Sequence, residues 1–358
     1  MPRDTLGQST KQILPFDFPV IRRHSTSYPA RQAASTNGIA LGIAFAQESD
    51  AMPLPMPVLQ QTEASRSSIT DALHRRFEAL EQASGARSLA VAVYDTETQF
   101  SFRRHADRWF HAASTIKVAI LLGVFASIHR GWLLPHSRLH VRNRFLSAAD
   151  GHPFHVLSDR DANAEVHAAI GKMMRVSELA LHMIATSSNL ATNLLLDLVG
   201  LETVQRSLDE LAVDGIDIRR GVEDERAFDL GIVNRVTADG LVQLLRLIAE
   251  ERAFSPTLSR KMMDILHAQE FRKGIPARLP RAVRVAHKTG DISTIAHDAG
   301  VVYPADRKPY IIAVLTEWSP DASGRSSTIA EVSQAVYQVL AGGGENKVGA
   351  RGGEASVT

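Results

Sequence analysis

Three short motifs in this chain hold residue types that together can transfer an acyl group. Ser114 and Lys117 stand three apart in Phe110-His111-Ala112-Ala113-Ser114-Thr115-Ile116-Lys117, a spacing that puts both on one face of a helical turn. A serine hydroxyl becomes a useful nucleophile only when a base takes its proton, and an amine one turn along can do that without histidine. Lys117 must then be neutral, against an unperturbed lysine pKa near ~10.4. Burial and a second nearby cation would both lower it. Ser187-Ser188-Asn189 opens an apolar run (SSNLATNLLLDLVG), and Lys288-Thr289-Gly290 closes another (VRVAHKTG). Each motif alone is common. All three, in this order, widely spaced and on different elements, form a specific constellation.

Patterning indicates what positions them. Val118 to Ala126 is apolar almost all round, so it reads as a helix buried in the core. Ser114 is expected where that helix begins, against free backbone N–H groups. Ile69, Leu73, Phe77 and Leu80 recur at helical spacing, and Ser88 to Tyr94 and Thr98 to Arg103 read as strands. From Ser114 to about Gln269 the pattern is mainly helical, with segments over 176–184, 189–199, 202–211, 238–250 and 258–266. The loops 147–155 and 216–234 break it up. Val283 to Lys288, Ala299 to Tyr303 and Tyr310 to Glu317 read as strands, and Thr328 to Leu340 as a closing helix. This order is neither a βαβ alternation nor a meander. The expected fold is an α/β lobe (66–113 and 275–341) whose antiparallel sheet is flanked by helices, with an all-α lobe (114–274) inserted. The cleft between lobes is the natural place for a site.

Composition narrows the alternatives. A hydrophobic content of 44% over 358 residues is enough for a sizeable core. Net charge is +1 with no long basic run, so nucleic acid and anionic membranes are not indicated as partners. No apolar run is long enough for an integral membrane segment, and a monomer is expected. Cysteine is absent, which excludes thiol catalysis and disulfides. His-Glu-x-x-His is also absent, so no metal and no cofactor is expected, and His111 and His287 read as packing neighbours of the motifs. Residues 1–65 read as a leader and linker. The run GIALGIAFA over 38–46 follows Arg22, Arg23 and Arg31 and suits cleavage after Ala46, hence a periplasmic or secreted product. The Gly-rich stretch 342–358 reads as a disordered tail.

On these motifs the chain resembles the penicillin-recognising serine hydrolases, and among them a divergent branch of the class A β-lactamases. Asn193 and the stretch His297-Asp298-Ala299-Gly300-Val301-Val302-Tyr303 extend the resemblance, which covers about 67–340. It implies that Ser114 opens a β-lactam ring and becomes acylated, with Lys117 as base and Ser187 relaying a proton to the leaving nitrogen. It also implies that Asn189 bonds the substrate's side-chain amide, that Lys288, Thr289 and Gly290 serve its carboxylate, and that the N–H groups of Ser114 and Asp291 form the oxyanion hole. Two departures stand out. Ser188 occupies a position where the family more often has aspartate. The loop over 219–234 lacks the usual Glu-x-x-x-Asn, which leaves Glu223 as first choice and Glu225 as second for the base that activates water. The other reading of Glu223, Asp224 and Glu225 is a solvated cluster paired with Arg219, Arg220 or Arg226. A DD-peptidase or esterase of the same fold, acting on a peptide-like substrate, is the first alternative function. A non-catalytic penicillin-binding sensor is the second.

Overall fold

The computed structural model describes residues 63–341. The expected leader, its cleavage after Ala46 and the tail concern segments outside the described residues, apart from residues 63–65, which begin the first helix. The main sheet has five strands: β1 (Ser88–Asp95), β2 (Ser101–Arg104), β3 (Arg284–Ile292), β4 (Ile295–Tyr303) and β5 (Tyr310–Glu317). They lie in the order β3-β4-β5-β1-β2, with antiparallel neighbours throughout. The last strand of the chain thus pairs with the first, Ser88 opposite Glu317 and Asp95 opposite Tyr310. Everything between β2 and β3 is an insertion, which is the lobed α/β architecture expected from the element order.

The helices of ten residues or more are α1 (Glu63–Ser84), α2 (Lys117–His129), α3 (Val176–Ala185), α4 (Asn189–Val199), α5 (Leu201–Glu210), α6 (Ala238–Ala249), α7 (Pro256–His267) and α8 (Arg325–Leu340). Both faces of the sheet are covered, so the neighbouring strands β1 and β5 are apolar over most of their length, while the edge strand β2 alternates. Leu89, Val91 and Val93 of β1 join Leu73 and Phe77 of α1 and Val332 and Val336 of α8 in one core. Ala90 and Ala92, pointing the other way, join Ala313 and Leu315 of β5 and Leu241 and Leu245 of α6 in the second. That second core continues into the inserted lobe, where α2 is its buried centre. Gly123 lets α2 approach α5 closely, since a Cβ there would stand 2.6 Å from Val204 Cγ2.

Two local expectations are corrected. Ser114 lies not at the first residue of an α-helix but inside a 3₁₀ turn, Ala113–Ile116, and α2 starts at Lys117. Such turns often lead into α-helices and keep i and i+3 aligned. Lys288-Thr289-Gly290 lies in the interior of β3, not at a strand end, because β3 runs on to Ile292 before the hairpin into β4. Gly290 is not a breaker there. A Cβ would sit 3.1 Å from Ala113 Cβ and 3.2 Å from Ser114 N, so glycine lets the edge strand lie against the 3₁₀ turn that carries Ser114.

Candidate active site

The three motifs converge. α2 presents Lys117, the turn before α4 presents Ser187, the first residue of α4 is Asn189, and β3 presents Lys288. Lys117 is wholly buried, and its Nζ donates to Ser187 O (2.6 Å), Ser187 Oγ (3.0 Å) and Asn189 Oδ1 (2.7 Å). One amine therefore ties the first motif to the second. Ser114 Oγ, by contrast, lines an open cleft of about 690 Å³ and takes no protein hydrogen bond among the described residues.

The electrostatics weaken the ammonium form of Lys117. Burial pushes the Lys117 ammonium well below its usual range, and the charge of Lys288 pushes the same way; Asp161 and Glu223 oppose both. Lys288 is also wholly buried, and burial lowers its pKa to about 7 against the pull of Asp298. Its Nζ donates to Thr289 O at 2.9 Å.

The loop over 219–234 separates the two candidate glutamates. Glu223 faces the cleft: Asn189 Nδ2 donates to its Oε1 at 2.5 Å, while its Oε2 is buried without a partner. Burial raises the Glu223 pKa, opposed by the Asn189 hydrogen bond and the Arg160 charge. Glu225 lies in the first turn of a short helix, Glu225–Asp229, exposed and paired with Arg160. Asp224 is fully buried and caps that helix, accepting from Ala227 N, Ser147 Oγ and Ala148 N. Arg219 pairs with Asp217 and Arg226 with Asp150. The loop is thus a built element, not a solvated cluster of acids and arginines. Two carboxamides clasp it: Asn193 bonds Val222 N and O at 2.9 Å each, and Asn234 takes Arg219 N (2.8 Å) and Arg220 N (3.1 Å) while donating to Arg220 O (3.0 Å). Ala227 stands four residues after Glu223, where Glu-x-x-x-Asn would put asparagine.

Three of the eight non-glycine residues with positive φ among the described residues lie at this place. Ala113, Ser187 and Glu223 have φ of +44°, +61° and +61°, a region non-glycine residues enter at a cost of about 1–3 kcal/mol each. Each is held by a specific bond. His111 Nδ1 accepts from Ala113 N at 3.0 Å, Lys117 grips Ser187 O, and Asn189 grips Glu223. His111 is accordingly more than a packing neighbour. Burial, with Arg220 nearby, lowers its pKa to about 4, so at neutral pH it is uncharged and its proton sits on Nε2.

Asp161 is the residue sequence reasoning missed. Its Oδ2 accepts from Leu190 N (2.9 Å), Ser188 Oγ (3.1 Å) and His167 Nε2 (3.2 Å), and its Oδ1 from Asn163 N (3.1 Å). Ser188 in turn caps α4 by accepting from Ala191 N at 3.1 Å. The carboxylate absent from position 188 is thus supplied from another segment. No sequence signal links the two, since 27 residues separate them. Asp291 turns its carboxylate to Arg325 at 2.9 Å on the cleft rim, and burial raises its pKa. His287 Nδ1 lies 2.8 Å from Asp298 Oδ1, behind Lys288 and away from the cleft.

Residues 72–340 match the β-lactamase enzyme family. A β-lactamase of Streptomyces fradiae is 29% identical over 280 residues, covering 74% of this chain and 85% of its own. The solved structure of an ancestral class A β-lactamase, GNCA, superposes with a TM-score of 0.65 at 26% identity, covering 75% of this chain and all of that one. A point mutant of PBP-A, solved as its acyl-enzyme complex with penicillin G, gives 0.64 at 25% identity over 75% of this chain and 96% of its own. Among the described residues no helix is long and apolar enough to cross a membrane. Matched by the family model over three quarters of its length, this chain belongs to the β-lactamase enzyme family.

Proposed function

We propose that the protein hydrolyses β-lactams through an acyl-enzyme on Ser114. The observation that carries this reading is the Lys117 amine, buried, depressed in pKa and joined to Ser187 and Asn189, beside a serine hydroxyl open to the cleft. Ser114 Oγ attacks the lactam carbonyl carbon and gives its proton to Lys117. The carbonyl oxygen, now negative, is held by the N–H groups of Ser114 and Asp291. As the C–N bond breaks, Ser187 passes a proton from Lys117 to the leaving nitrogen. The ring carboxylate lies toward Lys288 and Thr289 beside Gly290, and the side-chain amide toward Asn189. Water then attacks the ester carbon and gives a proton to Glu223, and as the ester C–O bond breaks that proton passes from Glu223 to Ser114 Oγ. Glu223 suits this better than Glu225: Oε2 is buried with no protein donor, leaving it to orient the water, while Glu225 is spent on Arg160.

The second reading is a DD-peptidase or esterase that acylates readily and deacylates β-lactams slowly. Ala227 favours it, because the second residue that would fix the water in a Glu-x-x-x-Asn loop is missing. A nitrocefin time course on the full chain separates the two. Linear multiple turnover is expected. A stoichiometric burst followed by a stall favours the second reading, and no reaction at all rejects both.

A further inference from the structure

One cationic side chain in the cleft has no role in that mechanism. Arg220 is 7% exposed, yet its guanidinium makes no ion pair among the described residues. Its Nη1 donates to Gly221 O at 3.0 Å, its Nε is buried with no acceptor, and its plane lies 5.5 Å from the Phe228 ring centre. The contrast with its neighbours is sharp. Arg219, Arg226 and Arg160 each have a carboxylate, and each is far more exposed. The carboxylate that acts most on Arg220, Asp224, is held by Ser147, Ala148 and Ala227 instead. A buried guanidinium without an ion-paired carboxylate is costly, and Asn234 bonds the backbone N–H and C=O of Arg220. Burial lowers the Arg220 pKa, as expected of a cation short of partners.

The place of Arg220 says which part of a substrate would meet it. It lines the cleft with His111 and Phe228 on the side of the 219–234 loop, where Asn189 and Glu223 also stand. Lys288 and Thr289 lie on β3. An anion at Arg220 is therefore a second one, carried on the acyl side of the scissile amide. His111 supplies a neighbouring neutral donor, since its Nδ1 is occupied by Ala113 N and its Nε2 carries the proton.

Resting on the β-lactamase reading above, we propose that Arg220 is a specificity residue: its guanidinium, with His111 Nε2–H beside it, takes a carboxylate on the acyl side chain, so β-lactams with an anionic side chain are preferred substrates. A charge-assisted pair in this setting is worth about tenfold to a hundredfold in kcat/KM.

The test is a matched pair, benzylpenicillin and its α-carboxylated analogue, which differ by one carboxylate. The readout is the ratio of their kcat/KM values, which general damage to the loop does not move. In the wild type the ratio should favour the carboxylated penicillin and fall as salt rises. In Arg220→Gln it should drop about tenfold or more, and Arg220→Lys should lie between, because a lysine keeps the charge without the fork. An unchanged ratio in Arg220→Gln overturns the proposal and leaves the β-lactamase reading standing, as long as benzylpenicillin is turned over. Should Arg220→Gln fail to fold, Arg220→Lys and the salt dependence of the wild-type ratio decide, and a salt-independent ratio at or below one overturns it. If neither penicillin acylates Ser114, the activity reading fails and the specificity falls with it.

Discussion

Two polar clusters meet at the start of α4, and they are built on opposite terms. Around Asp161 both carboxylate oxygens are used, by Leu190 N, Ser188 Oγ, His167 and Asn163 N. Asn163 is just as fully employed, accepting from Val166 N and donating to Thr186 Oγ1. Beside it stand two buried lysines and, among the described residues, a glutamate oxygen with no hydrogen bond and an arginine with no ion pair. The first cluster is satisfied and fixes shape. The second is satisfied only in part: Lys117 has three acceptors, while Glu223 Oε2 and Arg220 Nε make no hydrogen bond among the described residues. Unmade interactions in a folded site are expensive, so their concentration in one cleft marks where binding energy is to be recovered.

That contrast makes different predictions for the two clusters. Ser114→Ala should abolish covalent labelling by a fluorescent penicillin while leaving the melting temperature close to that of the wild type; persistent labelling would remove Ser114 as nucleophile. Glu223→Gln should slow deacylation by about 10²–10⁴-fold, the usual worth of a general base, and accumulate an acyl-enzyme visible by intact mass. It should not lower stability, since it replaces a half-satisfied buried carboxylate by a neutral amide. Unchanged turnover would shift the role to Glu225 or elsewhere. Asp161→Asn should do the reverse. It leaves donors such as Leu190 N and Ser188 Oγ facing a weaker acceptor, at about 1–3 kcal/mol, read as a lower denaturant midpoint, with activity falling through misplacement of Asn189. A stable, poorly active Asp161→Asn protein would place Asp161 with the catalytic cluster instead.

The same contrast explains what could be read from the chain. Strands such as Tyr310–Glu317 and helices such as Asn189–Val199 were legible because burial writes itself as periodicity and apolar runs. The residues that meet at the cleft were legible as motifs, because Ser114-x-x-Lys117, Ser187-Ser188-Asn189 and Lys288-Thr289-Gly290 keep fixed spacings. Asp161 was not, because a carboxylate bonding across 27 residues has no local pattern. Nor was the place of Lys288-Thr289-Gly290 within β3. Glycine normally signals a turn, and only the approach of Ser114 explains one in mid-strand. Glu223 and Glu225 look alike in sequence. Asn189 and Arg160, distant in the chain, tell them apart.

The subtlest expected effect lies in pH. Lys288 carries its charge below about 7 and loses it above, because burial disfavours the ammonium. Since kcat/KM reports the free enzyme, its alkaline limb for carboxylate-bearing β-lactams should fall near that pH. In the acylation complex the ring carboxylate restores a counter-charge, so Lys288 should hold its proton longer and the alkaline limb of kcat should move upward. The acid limb belongs to the coupled pair of Lys117, which must be neutral, and Glu223, which must be ionised. Lys288→Arg sharpens the assignment. A guanidinium does not titrate in this range, so the alkaline limb of kcat/KM should vanish even if the rate is lower. A limb that persists unchanged in Lys288→Arg would assign it to another group, and would mean that the third motif keeps its charge across the working range in spite of its burial.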